Sequence, residues 1–324
     1  MTVPRCSDKE FIDIWNQHKS ASAVAKVLNV APTNAHSRKR SIEKRYGIRL
    51  LTIDLRRPAY DQSMLITADR VEVKLTLKNG VILVGGDFHF HPSHSPTMHR
   101  AMCCLAKKLK PYAYIWNGDA ADFPQISRHP SIGWESYPTV ANELETISDR
   151  SAEVMKATSA KKIWTAGNHD LRFESRLAAM ASEFKNVKGI HLKDHFQEWT
   201  PAWFVTVNEG TESHTEIRHR EKGGIHASYN NTKESGVTLV TGHDHRADVV
   251  PYDDRRGRRY GVRHGMGADT ARGPQFVNYL EGKKPNWQSA IAVLTYKDGQ
   301  LLCPELAHRW DEDSFQFRGE VIKL

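Results

Sequence analysis

Five short stretches of the chain share one layout, an apolar run ending in glycine or a small residue and then side chains of metal-ligating type. They are VILVGGDFHFH (81–91), YIWNGDAAD (114–122), KKIWTAGNHD (161–170), GGIHASYN (223–230) and TLVTGHDHR (238–246). The 17 histidines say little by their number, because imidazole is common on surfaces and in cores. Their positions say more: aspartate, asparagine and histidine recur just past apolar runs, where a metal or anion is bound in many open sheets.

The elements around these stretches explain how they meet. YAYIWN and KKIWTAGN read as strands, TMHRAMCCLAKKLK as a helix stopped by Pro111, and PTVANELETISDRSAEVMKA as a helix with Val140, Leu144, Ile147 and Val154 on one stripe. Strand and helix alternate, which predicts an α/β fold with the carboxyl ends of its strands lining one crevice. RVEVKLTLKNGVILVGGD alternates apolar and polar residues up to Asn79-Gly80, a hairpin signal that opens the main domain near residue 69. From GVTLVTG onward strands and loops dominate. A glycine before each ligand block lets the backbone turn sharply there.

In order, GDFH, GDAAD, GNHD, an isolated histidine and GHDH resemble the five-block signature of the calcineurin-like metallophosphoesterase superfamily, over residues 81–246. The resemblance implies an α/β/β/α sandwich. It also implies two divalent metal ions, one held by Asp87, His89, Asp119 and His245 and the other by Asp119, Asn168, His226 and His243. His226 is chosen over the upstream His214 and His219 because it follows Gly-Gly-Ile, which reads as strand-like, and lies 17 residues before His243. Mixed nitrogen and oxygen donors suit Mn²⁺, Fe, Zn²⁺ or Ni²⁺ better than Ca²⁺ or Mg²⁺, and Mn²⁺ is the expected ion. Two such cations about 3.5–4 Å apart acidify a shared water and clamp phosphoryl oxygens for in-line attack. His169 is then placed as general acid for the leaving group, with Asp170 orienting its ring. Asp122 matches the second aspartate of the GDxxD block and is expected to be structural. His91, His94 and His99 read as ordinary surface or supporting histidines.

The second and third blocks narrow the substrate. GDAAD and GNHD stand where Ser/Thr protein phosphatases show GDxVDRG and GNHE, so that class is disfavoured. DFPQISRHPS, a long helix and GNHDLRFESRL together resemble phosphoesterases of bacteriophages and prophages. Arg128, Arg172 and Arg176 are candidates for bidentate contacts with substrate phosphate. DDRRGRRYGVRHGMGADTARGP (253–274) reads as a flexible basic loop suited to a polyanion, with Tyr279 and Trp287 available to stack on bases.

Charge points the same way. The chain carries a formal +8, and ten basic against four acidic side chains put +6 of it in the first fifty residues. These fifty read as three helices, from about Ser7 to His18, Ser20 to Leu28 and Thr33 to Tyr46, with Ser7, Ser20 or Ser22, and Thr33 as N-caps and Gly47 as the final stop. SASAVAKVLNVAPTNAHSRKRSIEKRYGI resembles a helix-turn-helix unit whose second helix carries Arg38, Lys39 and Arg40 toward DNA. The expected organisation is a small all-α basic domain (1–50), a linker (51–68) and a metallophosphoesterase domain (69–324).

The four cysteines form no CxxC pair and read as buried thiols of a reducing cytoplasm. No signal peptide and no run of about 18 apolar residues is present, so neither secretion nor membrane insertion is expected. The leading expectation is a phosphodiesterase or nuclease delivered to DNA by its basic head. A phosphomonoesterase or small-molecule phosphodiesterase is the alternative, and a DNA-binding regulator with a non-catalytic scaffold a third reading.

Overall fold

The computed structural model describes residues 6–50, 71–129, 136–269 and 285–324. The chain divides into two compact units, Met1–Ile66 and Thr67–Leu324. The expected linker at 51–68 lies outside the described residues.

The first unit holds α1 (Asp8–His18), α2 (Ala21–Leu28) and α3 (Pro32–Tyr46). Ser7 caps α1 reciprocally: its Oγ accepts from the Glu10 N–H at 3.2 Å, and Glu10 Oε2 accepts from the Ser7 N–H at 2.7 Å. Ser20 occupies the N-cap of α2 without a side-chain bond, and α3 starts with Pro32 after Ala31, so Thr33 is not a cap. Phe11, Trp15, Val24, Ala25, Ala35, Ile42 and Leu50 close the core. Arg38 turns inward: its guanidinium donates to Cys6 O at 2.6 Å and Asp8 Oδ1 at 3.2 Å and lies over the Phe11 ring. Lys39 pairs with Glu43 at 3.1 Å and sits over Trp15. Of the three expected DNA contacts, only Arg40 is exposed.

Among the described residues, the second unit has fourteen strands in one continuous ladder. These are β1 (Val71–Leu75), β2 (Gly80–Gly85), β3 (Ala113–Asn117), β4 (Lys161–Thr165), β5 (Thr200–Val207), β6 (Thr215–Arg218) and β7 (Thr238–Thr241), followed by β8 (Ala247–Asp254), β9 (Gly257–His264), β10 (Ala290–Lys297), β11 (Gln300–Leu301), β12 (Glu305–Arg309), β13 (Ser314–Phe317) and β14 (Glu320–Lys323). The order is β14-β13-β12-β10-β2-β3-β4-β5-β6-β7-β9-β8, with β1 beside β5 and β11 beside β10. Strands β2 to β5 run parallel. The helices are α4 (Thr97–Leu109), α5 (Val140–Ala157), α6 (Asp170–Met180), α7 (Leu192–His195) and α8 (Ala227–Ser235).

Alternation along the strands splits the core in two. Leu83, Trp116 and Trp164 pack outward with Met98, Met102 and Leu105 of α4 and Ile147 and Val154 of α5. Ile82, Val84, Ile115 and Ile163 point the other way, against Val205, Val207, Ile217, Val240 and Val262. Strands β9 and β10, far apart in the ladder, touch each other. The ladder therefore bends over on itself into two stacked layers, with α4 and α5 outside one and α8 against β7, β8 and β9 of the other.

Three expectations are corrected here. Strands β1 and β2 do not form a hairpin: β1 pairs with β5 and β2 with β3 and β10, because the Asn79-Gly80 turn carries the chain from one layer to the other. Asn208 holds the approach to that crossing, accepting from the Leu77 N–H at 2.8 Å and donating to Leu77 O and Gly299 O. The basic stretch from 253 is, as far as His264, a β8–β9 hairpin, in which Arg258 pairs with Asp253, Arg259 with Asp254, and Arg263 with Asp244 and Asp248. Cross-strand carboxylates absorb those charges; residues 270–274 and Tyr279 lie outside the described residues. All four cysteines are free thiols, but none is fully buried: Cys6, Cys103 and Cys104 are partly buried and Cys303 is exposed.

Candidate metal centre

Four strand ends deliver the donors: β2 leads to Asp87 and His89, β3 to Asp119, β4 to Asn168 and His169, and β7 to His243 and His245. Three groups of donors have their ligand atoms within 4.8 Å of one another: Asp87, His89 and His245; His89, Asp119 and His169; Asp119, His219 and His243. Asp119 belongs to two of these groups and His89 to two, so the groups are contiguous rather than separate sites.

The backbone is bent to achieve this. Asp87, His89, Asp119, His243 and His245 have φ of 51°, 41°, 51°, 72° and 58°, five of the twelve non-glycine positive-φ residues among those described. Such conformations cost free energy and persist where the surroundings over-determine them. The surroundings here are hydrogen bonds between the strand-end loops. The Asp87 N–H donates to Gly118 O at 2.9 Å and the His89 N–H to Asp119 O at 3.0 Å, while Asp87 Oδ2 accepts from the His243 N–H at 3.0 Å and Asp119 Oδ1 from the His169 N–H at 2.8 Å. The preceding glycines serve close approach more than turning. A Cβ on Gly167 would lie 2.1 Å from Asp119 Oδ1, and one on Gly118 2.3 Å from His219 Nδ1.

The structure does not bring His226 to the cluster. It is exposed at the N-cap of α8, because Gly223-Gly224-Ile225 is loop and turn rather than strand. His219, at the end of β6, takes the place instead: buried, its Nδ1 donates to Asn117 O at 2.8 Å, and its Nε2 lies 3.1 Å from Asp119 Oδ2 and 3.3 Å from Asn168 Oδ1. A backbone carbonyl on Nδ1 fixes the tautomer that leaves Nε2 free to ligate. The sequence holds only a partial signal: Thr215 and Ile217 alternate in TEIR and His219 follows directly, but nothing local ranks it above His226.

Asp170 does not orient His169. Its buried carboxylate accepts from the N–H groups of Asp119 (2.8 Å), Gly167 (3.0 Å) and Ala121 (3.1 Å) and from Trp164 Nε1 (3.0 Å), tying two strand-end loops together. Asp122 does the orienting, with Oδ1 2.6 Å from His169 Nδ1 and 3.3 Å from His89 Nδ1. Asp122 is fixed in turn by Glu143 on α5, whose Oε1 accepts from the N–H groups of Asp122 (3.1 Å) and Phe123 (2.8 Å). Nothing in the sequence marks Glu143 as more than one acid on a helix.

The arginines separate. Arg172 donates from Nη1 to Asp122 O at 2.7 Å and places Nη2 3.2 Å from His169 Nε2. Arg128 is exposed but near enough to Arg172 for the two charges to interact. Arg176, exposed further along α6, takes no part among the described residues. Trp287 packs edge-on against His245 at 4.5 Å between ring centres. His91 and His94 share Ser93 at the surface, and His99 is buried against Glu153.

The electrostatics fit a cation. Burial pushes the Asp87 carboxyl up, but the imidazoles of His219 and His245 outweigh it and hold the group below its ordinary range. Asp119 is likewise held down against burial, by His219 and His169 first. Burial works against a charge on His219, yet Asp119 and Asp87 raise its pKa to about 10. Among the described residues these two buried carboxylates have only imidazoles as ion-pair partners. Paired buried anions facing convertible imidazole donors are what a divalent cation requires, and its binding expels the protons.

A mixed layered sheet with metal donors at its strand ends defines a class of metal-dependent hydrolase. The family model for calcineurin-like phosphoesterases matches residues 80–255, and the chain belongs to that family. The Gene 54 proteins of Mycobacterium phages L5 and D29 are 26% and 24% identical to it over 220 residues, 61% of this chain and 81% of theirs. Among solved structures, a single mutant of Vps29 from Entamoeba histolytica is similar at 13% identity and TM-score 0.37, over 75% of this chain and 99% of that one. The nuclease MPE of Pseudomonas putida is similar at 13% and 0.29, over 69% and 86%. No helix among the described residues is long and apolar enough to cross a membrane.

Proposed function

We propose that the chain hydrolyses phosphodiester bonds of nucleic acid at a two-metal centre, with Asp87, His89, Asp119 and His245 holding one ion and Asp119, Asn168, His219 and His243 the other. The observation that carries this reading is the sharing of Asp119 between contiguous donor groups within 4.8 Å. Manganese is the favoured ion, with iron, zinc and nickel compatible with the same donors. When bound, two such ions supply Lewis-acid neutralisation of phosphoryl charge and acidify a water.

The chain's own residues supply the rest. Asp122 holds the Nδ1 proton of His169 and leaves Nε2 facing the cluster, the arrangement of a general acid that protonates a leaving alkoxide. Asp119 and Asp122 raise the pKa of His169 against burial and against the charge of Arg172, which favours its protonated form. Arg172, anchored on Asp122 O, presents a guanidinium to a phosphoryl oxygen. In the first unit Asn34, Ser37, Arg40 and Lys44 form an exposed face of α3 suited to a DNA groove, which supports delivery to DNA by that helix in place of Arg38 and Lys39.

The test is a panel on Mn²⁺-loaded full-length protein: single-stranded DNA, duplex DNA, RNA, bis-p-nitrophenyl phosphate, p-nitrophenyl phosphate and a phosphopeptide. Diester and nucleic-acid cleavage is expected. Turnover of monoesters alone would replace the reading with a phosphomonoesterase, and inertness toward every ester would leave a binding scaffold.

A further inference from the structure

A second feature adjoins the metal centre on the side of His219. A cleft of about 210 Å³ is lined by Ala166, Leu171, Trp203, Phe204, Arg218, His219 and Arg220. Its two aromatics are consecutive on β5, where alternation would send one of them into the core. A bulge prevents this. Val71 of β1 faces Ala202 while Val73 faces Val205, so two residues on β1 span three on β5. Ala202 and Val205 both enter the inter-layer core, and Trp203 and Phe204 both stay out of it, half-buried in the cleft. Bulges beside active sites commonly re-aim side chains in this way.

The cations of the cleft divide their work. Arg218 lies over the Phe204 ring at 4.9 Å and is neutralised by Glu216 at 2.5 Å and Glu221 at 3.4 Å, so it steadies the wall. Arg220 is exposed, forms no ion pair among the described residues, and lies near enough to His243 for its charge to act there. His219 belongs to both the cleft wall and the donor group, so the cleft opens directly beside the centre. The volume is below the roughly 300–1,000 Å³ of pockets for drug-sized ligands, which suits one ring system rather than a folded chain.

Resting on the phosphodiesterase reading, we propose that this cleft is a nucleoside subsite: Trp203 stacks on the base next to the scissile phosphate, and Arg220 holds the adjoining backbone phosphate. A base paired within a duplex cannot enter such a site, so the substrate is a single-stranded or frayed terminal nucleotide.

The experiment compares the p-nitrophenyl ester of thymidine 5′-monophosphate with methyl p-nitrophenyl phosphate on Mn²⁺-loaded full-length protein. Both lose the same group and differ in the nucleoside. Trp203→Ala is expected to lower the ratio of their kcat/KM values about 5- to 100-fold, the worth of one stacked base, and Trp203→Phe to restore most of it. Arg220→Ala is expected to raise KM for a thymidine dinucleotide more than for the mononucleotide ester. Equal losses on both esters would mark a merely structural tryptophan and overturn the proposal, as would a Trp203-dependent preference for a phosphotyrosyl peptide over the thymidine ester. Calorimetric titration with thymidine 5′-monophosphate separates the two readings. If the wild type cleaves neither ester, the phosphodiesterase reading fails, while nucleotide binding weakened by Trp203→Ala upholds the subsite and unchanged binding refutes it.

Discussion

The Asp122 carboxylate lies 2.6 Å from Nδ1 of His169 and 3.3 Å from Nδ1 of His89, so one buried acid orients an imidazole of the donor cluster and the imidazole proposed to move a proton. His169→Ala is expected to retain metal and to lose about 10²- to 10⁴-fold in kcat on alkyl esters, with a smaller loss on p-nitrophenyl esters, which leave without a proton. Asp122→Asn is expected to show the same dependence on leaving group at smaller amplitude. Loss of a metal equivalent in His169→Ala, measured by elemental analysis, would instead make His169 a ligand.

His219 and His226 are separated by metal content. His219→Ala is expected to bind close to one equivalent fewer of Mn²⁺ at saturation, because its Nε2 faces Asp119 and Asn168. His226→Ala is expected to bind the full amount, since that residue is exposed at a helix cap. The opposite pattern would restore the assignment drawn from sequence spacing.

Gly118 has φ +79° and its missing Cβ leaves room for the His219 ring. Gly118→Ala adds backbone strain and a clash with a buried ring, each of which typically costs on the order of 1 kcal/mol or more. Reduced thermal stability and weaker metal binding are expected together. A variant unchanged in both would show that the β3 loop relaxes freely.

Glu143 gives a pH-dependent stability. Burial raises its pKa to about 8 from an ordinary 4.5. Its folded state binds the proton more tightly than its unfolded state, so the group favours folding at low pH and costs stability as pH rises between those two values. Glu143→Gln keeps an acceptor for the Asp122 and Phe123 N–H groups and removes the ionisation. In urea titrations of metal-free protein, the variant should gain on wild type by roughly 1.4 kcal/mol per pH unit across that window, and by nothing further above it. Parallel curves from pH 5 to 9 would contradict the shift.

Delivery to DNA predicts a division within α3. Arg40→Ala and Lys44→Ala should each lower DNA affinity and reduce the slope of log K against log salt by about 1. Arg38→Ala should lower the stability of the three-helix unit, since its guanidinium is spent on Cys6 and Asp8. Binding that depends on Arg38 and is indifferent to Arg40 would reverse the picture.

Asp87, His89, Asp119, Asn168, His243 and His245 were legible in the sequence because each follows an apolar run and glycine, and short-range pattern is what encodes a strand end. The three N-terminal helices were legible for the same reason, through apolar spacing and the Ser7 N-cap. What the sequence could not decide were relationships between distant segments. A histidine seven residues from another cannot be preferred until β6 is seen to end at Arg218, with Asn117 O ready to receive the ring of His219. Asp122 and Asp170 are the same residue type beside the same motifs, and only packing shows that Asp170 accepts four N–H groups while Asp122 faces the imidazoles. In the basic run after residue 253, Arg263 looked free because its partners Asp244 and Asp248 lie on an earlier stretch of chain, and Arg258 and Arg259 because only the β8–β9 hairpin brings them to Asp253 and Asp254. Residue type and local period determined which groups were available; the folding of one ladder into two layers decided which of them meet, because burial, tautomer and charge depend on neighbours that are remote in sequence.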